Sequence, residues 1–156
     1  MLRIVFVLFL TLASFVGASA SALLPKPQKI QTVKGEVDPN SIDFITVEGT
    51  DMPVLYGLLD RLPRIPTEGL GVRLIIDPAL PEIGEEGYIL SIHPSAIVVK
   101  ARTDAGLFYG AGSVAQLIQE AIDTKSRIQA VVIVDFPALP VISVHFDTKH
   151  HLDRAE

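Results

Sequence analysis

Residues 86–118, EGYILSIHPSAIVVKARTDAGLFYGAGSVAQLI, constrain the fold more than any other stretch, because the apolar period changes there from that of a strand to that of a helix. Tyr88, Leu90 and Ile92 alternate along a first strand, and His93, Pro94 and Ser95 supply turn chemistry. Residues 97–101 return as a second strand rich in β-branched side chains, which makes the two strands antiparallel neighbours. Thr103 or Asp104 can then accept backbone N–H bonds as N-cap. Beyond it Leu107, Ala111, Val114, Ala115, Ile118 and Ile122 recur at helical spacing, the stripe of a helix laid on a sheet.

The flanking segments supply further strands and one more helix. Pro25 and Pro27 keep the chain extended ahead of a strand within 29–37. Asp38-Pro39-Asn40-Ser41 signals a turn, and residues 42–47, with Ile42, Phe44 and Ile45, follow as strand. Asp51 is a candidate N-cap with Pro53 in the first turn, and Val54, Leu55, Leu58, Leu59 and Leu62 predict a helix that ends before Pro63. A Pro- and Gly-rich loop leads to a short strand over 72–76, and residues 79–86 form a second loop. After a polar break at 123–127, the β-branched run 129–134 predicts a buried strand. Pro137 and Pro140 bracket an extended linker, beyond which Ile142, Val144 and Phe146 alternate with Ser143, His145 and Asp147 as a last strand. The fold class is α+β: a mixed, largely antiparallel sheet with two helices on one face, the other face left for a partner domain.

Composition bears on destination. The chain of 156 residues suits one domain, and part of its 49% hydrophobic content lies in the first twenty residues. There Arg3 precedes an apolar run over 4–16 and a small-x-small site at Ala18-Ser19-Ala20, the pattern of a secretory signal peptide cut after Ala20 or Ala22. A lipoprotein is excluded, because the chain has no cysteine. Removing Arg3 with the leader leaves 12 basic against 18 acidic residues, a balance of −6 that argues against nucleic acid or anionic membrane as partner. Export without disulfides fits a secreted, periplasmic or cell-surface location.

Few residues invite a chemical reading. Gly106, Gly110 and Gly112 follow a strand, but neither phosphate-loop spacing is present and they fall inside the helical stripe, where close helix-on-sheet packing accounts for them. His145, Asp147, His150 and His151 are the densest group of metal-capable side chains, yet they have no recognised ligand spacing, and no metal site is assigned. Tyr88 and Tyr109 have rings that could face a sugar, while core tyrosines with the hydroxyl satisfied at the edge explain them as well. Glu85 and Glu86, as neighbours on an extended chain, point to opposite faces and make a poor acid and nucleophile pair. No Ser-His-Asp arrangement has supporting spacing.

One resemblance spans nearly all of the chain beyond the leader. The Gly87-Tyr88-x-Leu90 strand, the second strand, Asp104-Ala105-Gly106-Leu107-Phe108-Tyr109-Gly110 and Gln116-Leu117 together resemble the small domain that precedes the catalytic barrel in glycoside hydrolase family 20, the β-N-acetylhexosaminidases. The segment 23–29, LLPKPQK, looks like that domain's opening, and Asp135-Phe136-Pro137 through His151 looks like its join to the first barrel strand. With residues 1–20 read as the signal peptide, the resemblance implies a hexosaminidase-like N-terminal domain at 21–136, and at 137–156 a linker and the first strand of a (β/α)8 barrel whose remainder is absent. It implies an intact parent that releases terminal N-acetylhexosamine by substrate-assisted retaining hydrolysis. In that family an Asp on a later barrel strand orients the 2-acetamido group as nucleophile, and the adjoining Glu is general acid/base.

Neither of those residues has a counterpart here, so no catalytic residue is assigned and no cofactor is implied. The implied partners are the catalytic barrel of the same parent chain and a glycan substrate. The family's first barrel strand carries Arg-Gly, then Leu-Asp, then Arg-His. The corresponding pairs here are Ile142-Ser143, Phe146-Asp147 and His150-His151, so Asp147 and His151 remain as substrate-binding candidates while Ile142 stands where the family has a sugar-gripping arginine. Other classes stay open: a stand-alone carbohydrate-binding or adaptor module, or the small domain of a family 84 β-N-acetylglucosaminidase or a family 67 α-glucuronidase.

Overall fold

The computed structural model describes residues 23–60, 62 and 68–137. The expected leader, part of the loop after the first helix, and the expected last strand with Ile142, Asp147 and His151 lie outside the described residues. In chain order the elements are β1 (Lys29–Val37), a 3-10 turn (Pro39–Ser41), β2 (Ile42–Glu48), α1 (Pro53–Leu58), β3 (Leu70–Ile76), β4 (Tyr88–His93), β5 (Ala96–Ala101), α2 (Asp104–Asp123) and β6 (Ile128–Asp135).

Six strands form one sheet in the order β1-β6-β4-β5-β3-β2. The β1–β6, β6–β4 and β4–β5 pairings are antiparallel, while β5–β3 and β3–β2 are parallel. The mixed, mainly antiparallel α+β architecture is therefore the one predicted. Register sorts the side chains by face. Ile45, Val72, Ile97, Ile92 and Val131 align across five strands, as do Val47, Leu74, Val99, Leu90 and Ile133. Nearly all of these are buried, and α2 lies over them. Packing against α2 places α1 in the same layer.

Two helix glycines set the distance between layers. A Cβ at Gly110 would sit 2.3 Å from Val99 Cγ1, and one at Gly106 would sit 2.3 Å from the Gly87 carbonyl oxygen. Their missing side chains let α2 settle directly on β4 and β5, as their spacing predicts. Gly112 is different, since a Cβ there would meet nothing within 4 Å.

Thr103 is the N-cap of α2, accepting from the Gly106 N–H at 3.2 Å and donating to the Glu85 carbonyl, so one side chain joins the helix start to the preceding loop. The first helix departs from expectation at both ends. Met52, not Asp51, occupies the cap position, and its carbonyl accepts from the Leu55 N–H at 3.2 Å, which leaves Asp51 one residue too early to reach the first turn. The helix also stops at Leu58, because Leu59 leaves helical geometry at φ −127°, and Leu62 is instead held by a turn bond to the Leu59 carbonyl. Leu55 and Leu59 still reach the core, but Val54 does not.

Candidate functional site

The buried polar chemistry of the described residues gathers where β4, α2, β6 and the segment before β1 meet. Tyr88 is the first residue of β4 and pairs across the sheet with Asp135, the last of β6. Alternation turns its ring toward α2, where it is 2% exposed. A buried phenol needs a partner, and two are present: Ser113 Oγ at 2.6 Å and Asp135 Oδ2 at 3.3 Å. The phenol has one hydrogen and an ionised carboxylate can only accept, so Tyr88 donates to Asp135 and the Ser113 hydroxyl donates to Tyr88. The other Asp135 oxygen accepts from the Gln28 N–H at 3.1 Å, and the Gln116 side-chain oxygen accepts from the Leu24 N–H at 3.2 Å.

Burial pushes the Tyr88 phenol up to about 12; the Ser113 hydroxyl opposes that rise and the Asp135 charge adds to it. A phenol held neutral through the ordinary pH range, with its hydrogen committed to a carboxylate, is a structural fastener rather than a proton carrier. The cluster ties the start and the end of the described chain to the middle of α2.

The residues singled out in the sequence are dispersed. Tyr88 is in the core with its hydroxyl satisfied, which removes it as a sugar platform. Tyr109 is not a core residue: it is 48% exposed on α2, its ring edge-on to Phe108 with centroids 5.8 Å apart. Glu85 and Glu86 are exposed in the turn before β4. Asp147, His151 and the histidine-rich group lie outside the described residues, and among the described residues no cluster of His, Asp and Glu is suited to a metal.

Two open grooves of about 300 Å³ and 330 Å³ mark the surface. One runs past Asp38, Asn40, Ser126 and Arg127, the other past Leu58, Asp60, Gln116 and Gln119, and each includes a single carboxylate. A paired acid and nucleophile is therefore not assembled in either. Sequence reasoning missed the roles of Ser113 and Asp135. Their signal was a serine inside an apolar helical stripe and an acid ending a buried strand, opposite a tyrosine at an inward position.

No curated protein matches the chain. Solved structures do. The fold is similar to that of the Streptomyces plicatus N-acetyl-beta-hexosaminidase in complex with Thio-NAglucal, at TM-score 0.57 and 24% identity over 78% of this chain and 27% of that one. It is also similar to the beta-N-acetylhexosaminidase from Bacteroides fragilis, at TM-score 0.56 and 20% identity over 75% of this chain and 25% of that one. CpGH84D shares it at TM-score 0.55 and 13% identity, over 73% of this chain and 23% of that one. The chain thus matches 27% or less of the length of each of these proteins, and the likeness is one of fold. The sequence pattern of Glycosyl hydrolase family 20, domain 2, matches residues 20–136, a span that holds all six strands and both helices. On that match, which takes in most of the sequence, the chain belongs to glycosyl hydrolase family 20 and carries its domain 2.

Proposed function

We propose that this chain is the non-catalytic N-terminal domain of a secreted glycoside hydrolase that releases terminal N-acetylhexosamine from glycans. The observation that carries the reading is the family match, which runs from ahead of β1 to just past β6 and so corresponds to one whole folded unit. The Tyr88–Ser113–Asp135 cluster supports it, because its polar atoms are engaged with one another and with the Gln28 N–H rather than turned toward solvent. The chemistry would belong to the catalytic barrel, where the Asp–Glu pair implied by the resemblance performs substrate-assisted hydrolysis. This domain would act as a folded base for that barrel. Secretion follows from the leader pattern, with Arg3, the apolar run and Ala18-Ser19-Ala20 as the features read by the export machinery.

The test begins with the coding DNA beyond Glu156. A reading frame that continues for a barrel's length, with an Asp–Glu pair on a later strand, supports the reading, and the longer product then hydrolyses an aryl N-acetyl-β-glucosaminide while the 156-residue chain does not. Hydrolysis by the 156-residue chain itself would sink it. A stop codon there, together with binding of N-acetylglucosamine oligosaccharides by this chain, would favour a stand-alone carbohydrate-binding module instead.

A further inference from the structure

The end of α2 carries a residue that local stability does not favour. Lys125 sits at φ 52°, in the left-handed region where a helix ending of this kind usually has glycine. A cation near a helix C-terminus does answer the dipole, but the last turn of α2 holds no basic residue, and one placed there would serve without the strain. Lys125 lines the groove of about 300 Å³ between this end of the helix and the 3-10 turn, and Arg127 lines the same groove. Among the described residues the ion pairs are Arg73–Glu48 and Lys100–Asp77, and neither cation of the groove takes part in them. In a chain with an acidic excess, two cations outside those pairs thus meet at one hollow.

The rest of the lining narrows what would fit. Asp38 enters from the turn, where its Oδ1 accepts from the Asn40 N–H at 2.9 Å and from the Asn40 side-chain amide at 3.1 Å, while Oδ2 takes part in neither bond. The Thr124 hydroxyl donates to the Glu120 carbonyl at 2.7 Å, so Ser126 is the donor in its 2.8 Å contact with Thr124 and keeps an oxygen able to accept. Ile122, 37% exposed, and Pro39 add an apolar wall. Two cations call for a ligand with negative charge. A carboxylate beside them repels a dianion such as phosphate and calls for hydroxyl donors. A single ring that carries hydroxyls, one carboxylate and an apolar face meets these demands, and the groove has room for one ring rather than a chain.

We propose that the groove between the end of α2 and the 3-10 turn binds a sugar carboxylate of the hexuronate type. Its carboxylate rests on Lys125 and Arg127, its hydroxyls donate to Asp38 Oδ2 and Ser126, and its apolar ring face lies on Ile122. The strain at Lys125 is then the counterpart of a binding role, since glycine would suit the helix ending better but would remove one of the two cations. Binding here involves no hydrolysis and does not depend on what the parent protein hydrolyses.

D-glucuronate is the probe, titrated into the full chain and followed by nuclear magnetic resonance at the amides of Asn40, Lys125 and Arg127. D-glucose, with the same ring and no charge, and sulfate, a dianion without donor hydroxyls, are the comparisons. Glucuronate should shift these amides along one saturating curve, with affinity about tenfold or more above either comparison. Lys125→Gly relieves the strain and keeps the fold, yet should weaken glucuronate by about tenfold, and Arg127→Gln should weaken it by a similar factor. The urea midpoint of each variant separates lost binding from lost folding. No saturable shift with glucuronate, equal affinity for glucose or sulfate, or unchanged affinity in the folded Lys125→Gly and Arg127→Gln variants overturns the proposal.

Discussion

A single methyl group separates the roles of two helix glycines. At Gly110 an added Cβ meets the buried Val99 side chain at 2.3 Å and the Tyr88 ring at 3.1 Å, so Gly110→Ala must push α2 off the sheet or force Val99 from its rotamer. Overpacking of this kind costs about 1–3 kcal/mol. At Gly57 in α1 the same Cβ meets nothing within 4 Å, and Gly57→Ala should gain roughly 0.5–1 kcal/mol from helix propensity and a less entropic unfolded chain. Urea unfolding followed by circular dichroism checks both, and the opposite signs are the result that matters. Tyr88 supports a pH prediction at the same scale. Its folded pKa is about 12 against an ordinary value of 10.0, so the unfolded chain ionises first. Its contribution is therefore complete below pH 10 and is lost as pH rises to 12, a decline of up to about 2–3 kcal/mol. Tyr88→Phe should cost about 1–2 kcal/mol at neutral pH, by stranding Ser113 and one Asp135 oxygen, and should flatten the stability profile between pH 10 and 12. An unchanged alkaline slope in that variant would refute the assignment.

At the level of elements, α2 shows how far local sequence reached. Its N-cap, strand-facing stripe and preceding hairpin were legible, because a Thr-Asp step, a 3.6-residue period and β-branched alternation are local signals. Its end was legible only as a polar break. There Lys125 takes φ 52°, its N–H donates to the Ile122 carbonyl at 3.2 Å and the Ser126 N–H donates to the Ala121 carbonyl at 2.9 Å, a Schellman ending with lysine where glycine is usual. Lys125→Gly should then raise stability by about 1 kcal/mol, read as a higher urea midpoint at unchanged m-value. The overestimate of α1 has a comparable cause. Leu58, Leu59 and Leu62 continue a helical period, but Gly57 and a cap without a side-chain bond leave little to sustain the helix beyond Leu58, and Leu62 reaches the core through a turn. The Tyr88–Ser113–Asp135 cluster was out of reach for a different reason. Its members are 25 and 47 residues apart, and only the strand order that puts β6 beside β4 brings them together. The parallel pairing of β3 with both β2 and β5 is likewise a property of the crossover, not of any strand's own composition.

For the whole molecule, the described chain is closed on itself. Its first long strand pairs with its last, the Gln28 N–H is bonded to Asp135, and the Leu24 N–H is bonded to Gln116. Leu23, the first described residue, is 3% exposed within the same core as α2 and β6. An N-terminal segment of this kind would ordinarily fray on its own. Here the two backbone bonds hold it against a sheet and a helix that belong to one core, so loosening Leu23 should be felt globally. Leu23→Ala is expected to cost roughly 2–4 kcal/mol, the range for truncating a buried leucine. The distinguishing measurement is hydrogen exchange read at Leu117 and Ile133, two fully buried positions far from it in sequence. If the core is one cooperative unit, their protection falls by the same free energy as the urea-derived stability, because both exchange through global unfolding. If only the amides near 24–28 lose protection while those of α2 and β6 keep theirs, the segment is a separable flap. The domain would then present Asp135 and Gln116 without their partners whenever the flap opens, and the start of the chain could not act as part of a rigid base for the residues beyond Pro137.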